Sequence, residues 1–226
     1  MEKAYVKLTA SNSIGIIEFF HPMKNSMPTE LLKKLKNSID KASKDEQIKI
    51  IILRSGGNRV FCAGASFQEL VTIKNTNEGF AFFAGFADVI NAMRQCSKLI
   101  IVRVQGKAVG GGVGIAAAAD YCMASKYADI KLSELKIGIG PFVIAPAIER
   151  KIGLSSFSQL TLDAHKFYSP GWAIEKGLYQ NISETVEELD ASVLDLARRL
   201  SAYNAEALSH LKKIFWKNTD HWNELL

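Results

Sequence analysis

A chain of 226 residues with 48% hydrophobic and 23% charged residues has ordinary globular composition. It is sized for one α/β domain, or one domain with an appendage, and is not a disordered or collagen-like chain. The net charge of +5 contains no block of five basic residues; this suits an anionic small ligand and lends a nucleic-acid surface little support. Cys62, Cys96 and Cys122 form an odd set without a Cys-x-x-Cys pair, which points to a reducing compartment rather than a disulfide framework. His21, His165, His210 and His221 make no metal-ligand spacing with one another or with the cysteines, so no metal site is expected. The first five residues hold no apolar leader core, and no uncharged apolar run is long enough to span a bilayer. The expected location is the cytoplasm, with no membrane partner.

Two β-rich runs, 4–9 and 14–20, are split by a short polar turn and predict a hairpin. A loop, 21–26, precedes Pro28, which suits the first turn of a helix. Leu31, Leu32, Leu35, Ile39 and Ala42 then share one helical face to about residue 44. A buried strand at 48–54 completes a βαβ unit, right-handed by default. Ser66 with Glu69 three residues later reads as a capping box that starts a helix. Phe80, Phe83, Ala84, Ala87, Ile90 and Met93 follow helical spacing and read as core. A strand at 99–104 leads into the glycine run 110–112 and a helix of small residues, with short strands expected at 121–124 and 130–132. Residues 133–141 read as a loop with one acidic residue, and 142–152 and 155–162 as helices. A composition shift near residue 165 separates an α/β core, 1–165, from a helical region, 166–226, with a short strand at 179–182.

Two segments share one property. Ala63, Gly64 and Ala65 lie just ahead of one helix, and Gly110, Gly111 and Gly112 open another. The first N–H groups of a helix lack intrahelical partners and carry partial positive charge. Taken singly, each segment is equally a helix cap or a place of close packing. Taken together, two such donors can converge on one carbonyl oxygen and stabilise a thioester enolate. Each donor of that kind contributes roughly 3–4 kcal/mol in the transition state.

Phe61-Cys-Ala-Gly-Ala-Ser-Phe-Gln-Glu-Leu70 followed by Gly106-Lys-Ala-Val-Gly-Gly-Gly-Val-Gly-Ile-Ala-Ala-Ala-Ala-Asp120 resembles the enoyl-CoA hydratase/isomerase (crotonase) superfamily, over a match running to about residue 185. The resemblance implies an α/β, crotonase-like spiral of repeated ββα units with a C-terminal helical region. It also implies an acyl-CoA ligand bent around the site, homotrimers or hexamers, and a place in fatty acid and lipid metabolism. No cofactor is implied beyond the coenzyme A of the substrate thioester. Residue by residue, the oxyanion-hole donors fall on Ala65 and Gly111. Ala63 and Gly64 fall where the backbone meets the coenzyme, Gly110 and Gly114 join them among the substrate-binding positions, and Lys24 falls in a loop that can offer a cation to the coenzyme phosphates. Relatives with two catalytic glutamates carry the first at the position of Gly114 and the second at that of Glu134, so one of the pair is missing here. One carboxylate suffices to shuttle a proton between two carbons; hydration also requires a water to be held and deprotonated. Leu132-Ser-Glu-Leu-Lys-Ile-Gly-Ile-Gly-Pro-Phe-Val-Ile-Ala-Pro146 resembles the methylglutaconyl-CoA hydratase-like branch, which tends to lack the first glutamate. The expected activity is therefore hydration of a short or branched enoyl-CoA, with Δ3-Δ2 isomerisation or non-catalytic acyl-CoA binding as alternatives. Ser66 stands where many relatives have Asp, and either residue caps a helix. Leu226 falls inside the helical region that, in relatives, continues over the acyl pocket and into the trimer.

Overall fold

Strands β1 (Tyr5–Ser11) and β2 (Ile14–Phe20) form an antiparallel hairpin. Its turn residues Asn12 and Ser13 both have positive φ, 52° and 65°, matching the twist of a two-residue hairpin. The computed structural model describes residues 3–225; Met1, Glu2 and Leu226, including the start of the segment read as lacking a leader, lie outside the described residues. Helix α1 (Thr29–Lys44) buries the five apolar residues of its predicted face and returns the chain to β3 (Ile50–Ser55), parallel to β2.

From β3 onward a strand–strand–helix unit recurs. The first unit is β3, β4 (Val60–Cys62), the short α2 (Phe67–Leu70) and α3 (Thr76–Gln95). The second is β5 (Leu99–Val104), β6 (Lys107–Val109) and α4 (Gly111–Ala117). The third is β7 (Tyr121–Ser125), β8 (Ile130–Lys131) and α5 (Ala145–Leu162). The first strand of each unit joins a six-stranded sheet, order β1-β2-β3-β5-β7-β9 with β9 spanning Asn181–Ser183, and the second joins a three-stranded sheet, order β4-β6-β8. Among the described residues, every strand-to-strand pairing after the hairpin is parallel, apart from a single antiparallel bridge from Ile130 to Tyr168. This is a mixed α/β fold of recurring ββα units, as the sequence resemblance implies.

The large sheet is covered on both faces, as its near-continuous apolar strands require. Side chains alternate along a strand. Ile51, Leu53, Ile100 and Val102 pack with α1 and with Phe86, Ile90 and Met93 of α3. Ile50, Ile52, Leu99, Ile101 and Met123 pack on the other face against Leu189, Val193 and Ala197. Those three belong to α7 (Val186–Ser201), which follows α6 (Pro170–Glu175) and the edge strand β9 (Asn181–Ser183). Segments beyond residue 165 thus complete both the sheet and its second face.

α8 (Ala205–Phe215) and α9 (Trp222–Leu225) close the described chain. Their anchor is Asp120, directly after α4. Its buried carboxylate accepts from Ile100 N (2.7 Å), Lys212 Nζ (2.6 Å) and Trp216 Nε1 (2.7 Å). Beside it Lys151 Nζ donates to Ala119 O (3.0 Å), and Arg150 lies over the Trp216 ring and donates to Phe215 O. The three cysteines are free and buried. Burial pushes the thiols of Cys62 and Cys122 up to about 12, and that of Cys96 upward as well.

Four local readings change. Ser66 caps α2 by accepting from Glu69 N (3.3 Å), but the Glu69 carboxylate does not close the box. It turns to Thr29 N (2.9 Å) and Thr29 Oγ1 (2.8 Å) and ties down the start of α1 instead. Of the helically spaced residues read as core, Phe80 is 73% exposed, whereas Phe82, absent from that set, is buried. The predicted loop 133–141 contains a 3-10 turn, Glu134–Ile137. The helix expected at 142–152 starts as a 3-10 turn, Phe142–Ile144, and is α-helical only from Ala145; its break from the helix expected at 155–162 stands, at Gly153, whose φ of 77° and ψ of 157° are non-helical.

Candidate active site

The chain leaves β4 through Ala63 and Gly64. Gly64 has φ +89°, and a Cβ built on it would lie 3.1 Å from Val109 O and 3.7 Å from Gly111 N. Only glycine combines that backbone angle with so close an approach. The next peptide is fixed from outside, where Met27 N donates to Gly64 O (2.8 Å) in a parallel bridge to Ala65. Across the gap, Gly110 N donates to Lys131 O (2.9 Å), while Gly110 O accepts from Val113 N (2.8 Å) and Gly114 N (3.2 Å). Among the described residues, the N–H groups of Ala65 and Gly111 reach no protein acceptor. Two backbone donors therefore remain free on neighbouring segments, as an oxyanion hole requires.

They open into a cavity of about 210 Å³. Its wall includes Ala63, Gly64, Ala65, Gly110, Gly111 and Glu134, so six of the eight sequence-selected residues come together. The remaining two do not line it. Lys24 stands exposed on the 21–26 loop, which is pinned by Asn25 Nδ2 donating to Gly56 O (2.8 Å) and Val60 O (2.9 Å). Gly114 is buried one turn along α4, under Ile144.

Glu134 opens the 3-10 turn. A Cβ on Gly110 would come within 2.6 Å of Glu134 Oε1, so the carboxylate rests on the bare backbone of the glycine turn. Its Oε2 is buried with no hydrogen-bond partner. Burial pushes the Glu134 carboxyl above its ordinary value, partly opposed by its own amide and that of Ser133. Among the described residues, Ser133 and Glu134 supply the only polar side chains of the cavity wall. A carboxyl so placed is a proton carrier whose affinity is moved toward neutral pH.

The apolar wall is what sequence reasoning missed. Phe82, Phe83 and Phe86 of α3 face the glycines, with Val143 and Ile144 beside them. A Cβ on Gly111 would run into the Phe86 ring. The aromatic spacing on α3 was the available signal, but periodicity does not distinguish core from cavity wall. A second, apolar groove of about 810 Å³ adjoins the first and shares Phe83, Ile139, Gly140, Pro141 and Val143 with it.

Comparison with known proteins identifies the family. The profile of the enoyl-CoA hydratase/isomerase family matches residues 9–225. The chain belongs to that family. It is 32% identical over 179 residues to the mitochondrial methylglutaconyl-CoA hydratase of Mus musculus, covering 77% of this chain and 56% of the mouse protein. The corresponding protein of Homo sapiens is also 32% identical, with 52% of its length covered. The chain spans about half the length of these curated relatives. A crystal structure from Legionella pneumophila, described as an enoyl CoA hydratase/isomerase (crotonase), superposes with a TM-score of 0.89 at 26% identity over 97% of this chain and 85% of that one. The enoyl-CoA hydratase structure from Bacillus halodurans gives the same TM-score at 24% identity, covering 98% and 89% of the respective chains, a likeness of fold. Among the described residues, no helix is long and apolar enough to cross a membrane.

Proposed function

We propose that this chain adds water across the 2,3 double bond of a short or branched enoyl-CoA. The observation that carries the reading is the partnerless Oε2 of Glu134, in the same cavity as the free N–H groups of Ala65 and Gly111. The thioester oxygen accepts from both amides, which draws electron density away from C3. Glu134 takes a proton from a water as the water oxygen bonds to C3, and the resulting enolate is held by the same two donors. The proton then passes from Glu134 to C2, the enolate pair forms the C2–H bond, and the thioester carbonyl is restored. The hydratase names of relatives support this reading.

A second reading is Δ3-Δ2 isomerisation, and the absence of any side chain at Gly114 favours it. Glu134 removes a proton from C2 of a 3-enoyl thioester, the dienolate oxygen is held as before, and the same proton returns at C4. No second polar group is needed. On either reading the ligand is an acyl-CoA, no cofactor is required beyond the coenzyme the substrate carries, the chain works in the cytoplasm and the assembly is a homotrimer or hexamer. Ala63, Gly64 and Gly110 line the thioester end, and Lys24 faces the coenzyme phosphates.

Product mass, with chromatographic separation of the 2-enoyl and 3-enoyl thioesters, after incubation with crotonyl-CoA, a branched enoyl-CoA and a 3-enoyl-CoA tests this. Gain of one water supports the hydratase; conversion of the 3-enoyl to the 2-enoyl substrate without mass change supports the isomerase. Saturable binding with no turnover of any of them would overturn both in favour of a non-catalytic acyl-CoA-binding protein.

A further inference from the structure

Gly114 N donates to Gly110 O (3.2 Å), so the two glycines stand one turn apart at the start of α4. The nearest group above Gly110 is the Glu134 carboxylate, with Oε1 2.6 Å from a Cβ placed there. The nearest group above Gly114 is Ile144, with Cγ2 at 2.6 Å and Cβ at 2.8 Å from a Cβ placed there; Ile90 Cδ1 follows at 3.6 Å. Glu134 and Ile144 thus rest over two glycines one turn apart at the start of α4, and both line the cavity. Ile144 is 2% exposed, at the end of the 3-10 turn Phe142–Ile144 that follows Pro141. Its β-branched side chain is stiff, and no side chain at position 114 could coexist with it unmoved.

We propose that Ile144 is the residue that sets the balance between hydration and carbon-to-carbon proton transfer at Glu134. It fills the volume beside the carboxylate with hydrocarbon and denies an attacking water a second hydrogen-bond contact. A proton moving between C2 and C4 of the acyl chain needs no such contact and is left unhindered. This rests on the assignment of Glu134 as the acid–base group, which both readings of the proposed function share, and in the wild-type chain it weighs toward the second of them.

The experiment compares wild type, Ile144→Ala, Ile144→Thr and the conservative Ile144→Val. Hydration of crotonyl-CoA, isomerisation of a 3-enoyl-CoA and exchange of the C2 protons of butyryl-CoA with D2O are measured for each. Ile144→Thr opens space and supplies a hydroxyl. It is expected to raise the ratio of hydration to isomerisation roughly five- to tenfold, about what one ordinary hydrogen bond to the water contributes. Ile144→Ala opens space alone and raises the ratio less, while Ile144→Val, which keeps the core filled, leaves it near wild type. A ratio unchanged in both Ile144→Thr and Ile144→Ala, with C2 exchange present and abolished by Glu134→Gln, overturns the role of Ile144 and leaves the function standing. Exchange that persists in Glu134→Gln overturns the function reading itself, whatever the ratio does.

Discussion

A carboxyl group with one oxygen against a glycine turn and the other facing no donor imposes a cost on the folded chain that depends on pH. Glu134 binds its proton more tightly folded than unfolded, because burial penalises the ionised form. The associated stability is fully present below the ordinary carboxyl value of 4.5 and is lost as pH rises through the higher folded value. Glu134→Gln removes the charge and keeps the shape. It is expected to melt above wild type at neutral pH, with the gap closing as pH falls through the raised folded value and gone below 4.5, and thermal denaturation across pH checks this. The same substitution removes the acid–base group, so turnover should fall roughly 10²–10⁴-fold while acyl-CoA affinity is kept. A variant more stable and less active at one pH separates a functional carboxylate from a structural one, since loss of a structural partner would lower both.

At the scale of elements, α5 is two helices joined through Gly153 in a backbone region that side chains avoid, with nothing within 4 Å of a Cβ placed there. Space is available, so Gly153→Ala carries only the conformational cost. It should lower unfolding free energy by about 1–3 kcal/mol, read from the denaturant midpoint. Gly153 is also instructive about legibility. The break between 142–152 and 155–162 could be read from the glycine, and α1, the hairpin and the parallel strands could be read from apolar spacing, because these depend on neighbours in sequence. That two amides could converge is legible from two small-residue helix starts, but their assignment to Ala65 and Gly111 comes only through the family motif, since β4 and β6 are 45 or more residues apart in the chain. Glu69 was misread for the same reason: its carboxylate serves Thr29, 40 residues away, and no local rule sees that partner. Ile144 left no signal at all, because what matters there is the empty position at Gly114 that it covers.

At the scale of the whole molecule, the C-terminal helices are held to the core by charge as well as by apolar contact. Asp120 and Lys212 are 4% and 3% exposed, and the carboxylate is further bound by Ile100 N and Trp216 Nε1. Removing one partner leaves the other buried and uncompensated, so Asp120→Asn or Lys212→Met alone should each cost about 3–5 kcal/mol. The double variant should cost less than the sum, which a double-mutant cycle in chemical denaturation measures. The three cysteines give the folded chain a further property. Their thiols are enclosed and held protonated, and only the thiolate reacts with an alkylating reagent. Modification of the native protein must therefore wait for each site to open, so its rate becomes a clock of local unfolding. Cys62 lies directly behind the glycine turn, where a Cβ on Gly112 would meet it at 2.8 Å, whereas Cys122 lies within β7 of the large sheet. A bound acyl-CoA should slow alkylation of Cys62 more than that of Cys122, and peptide mass mapping of a timed iodoacetamide reaction would report it without any engineered label.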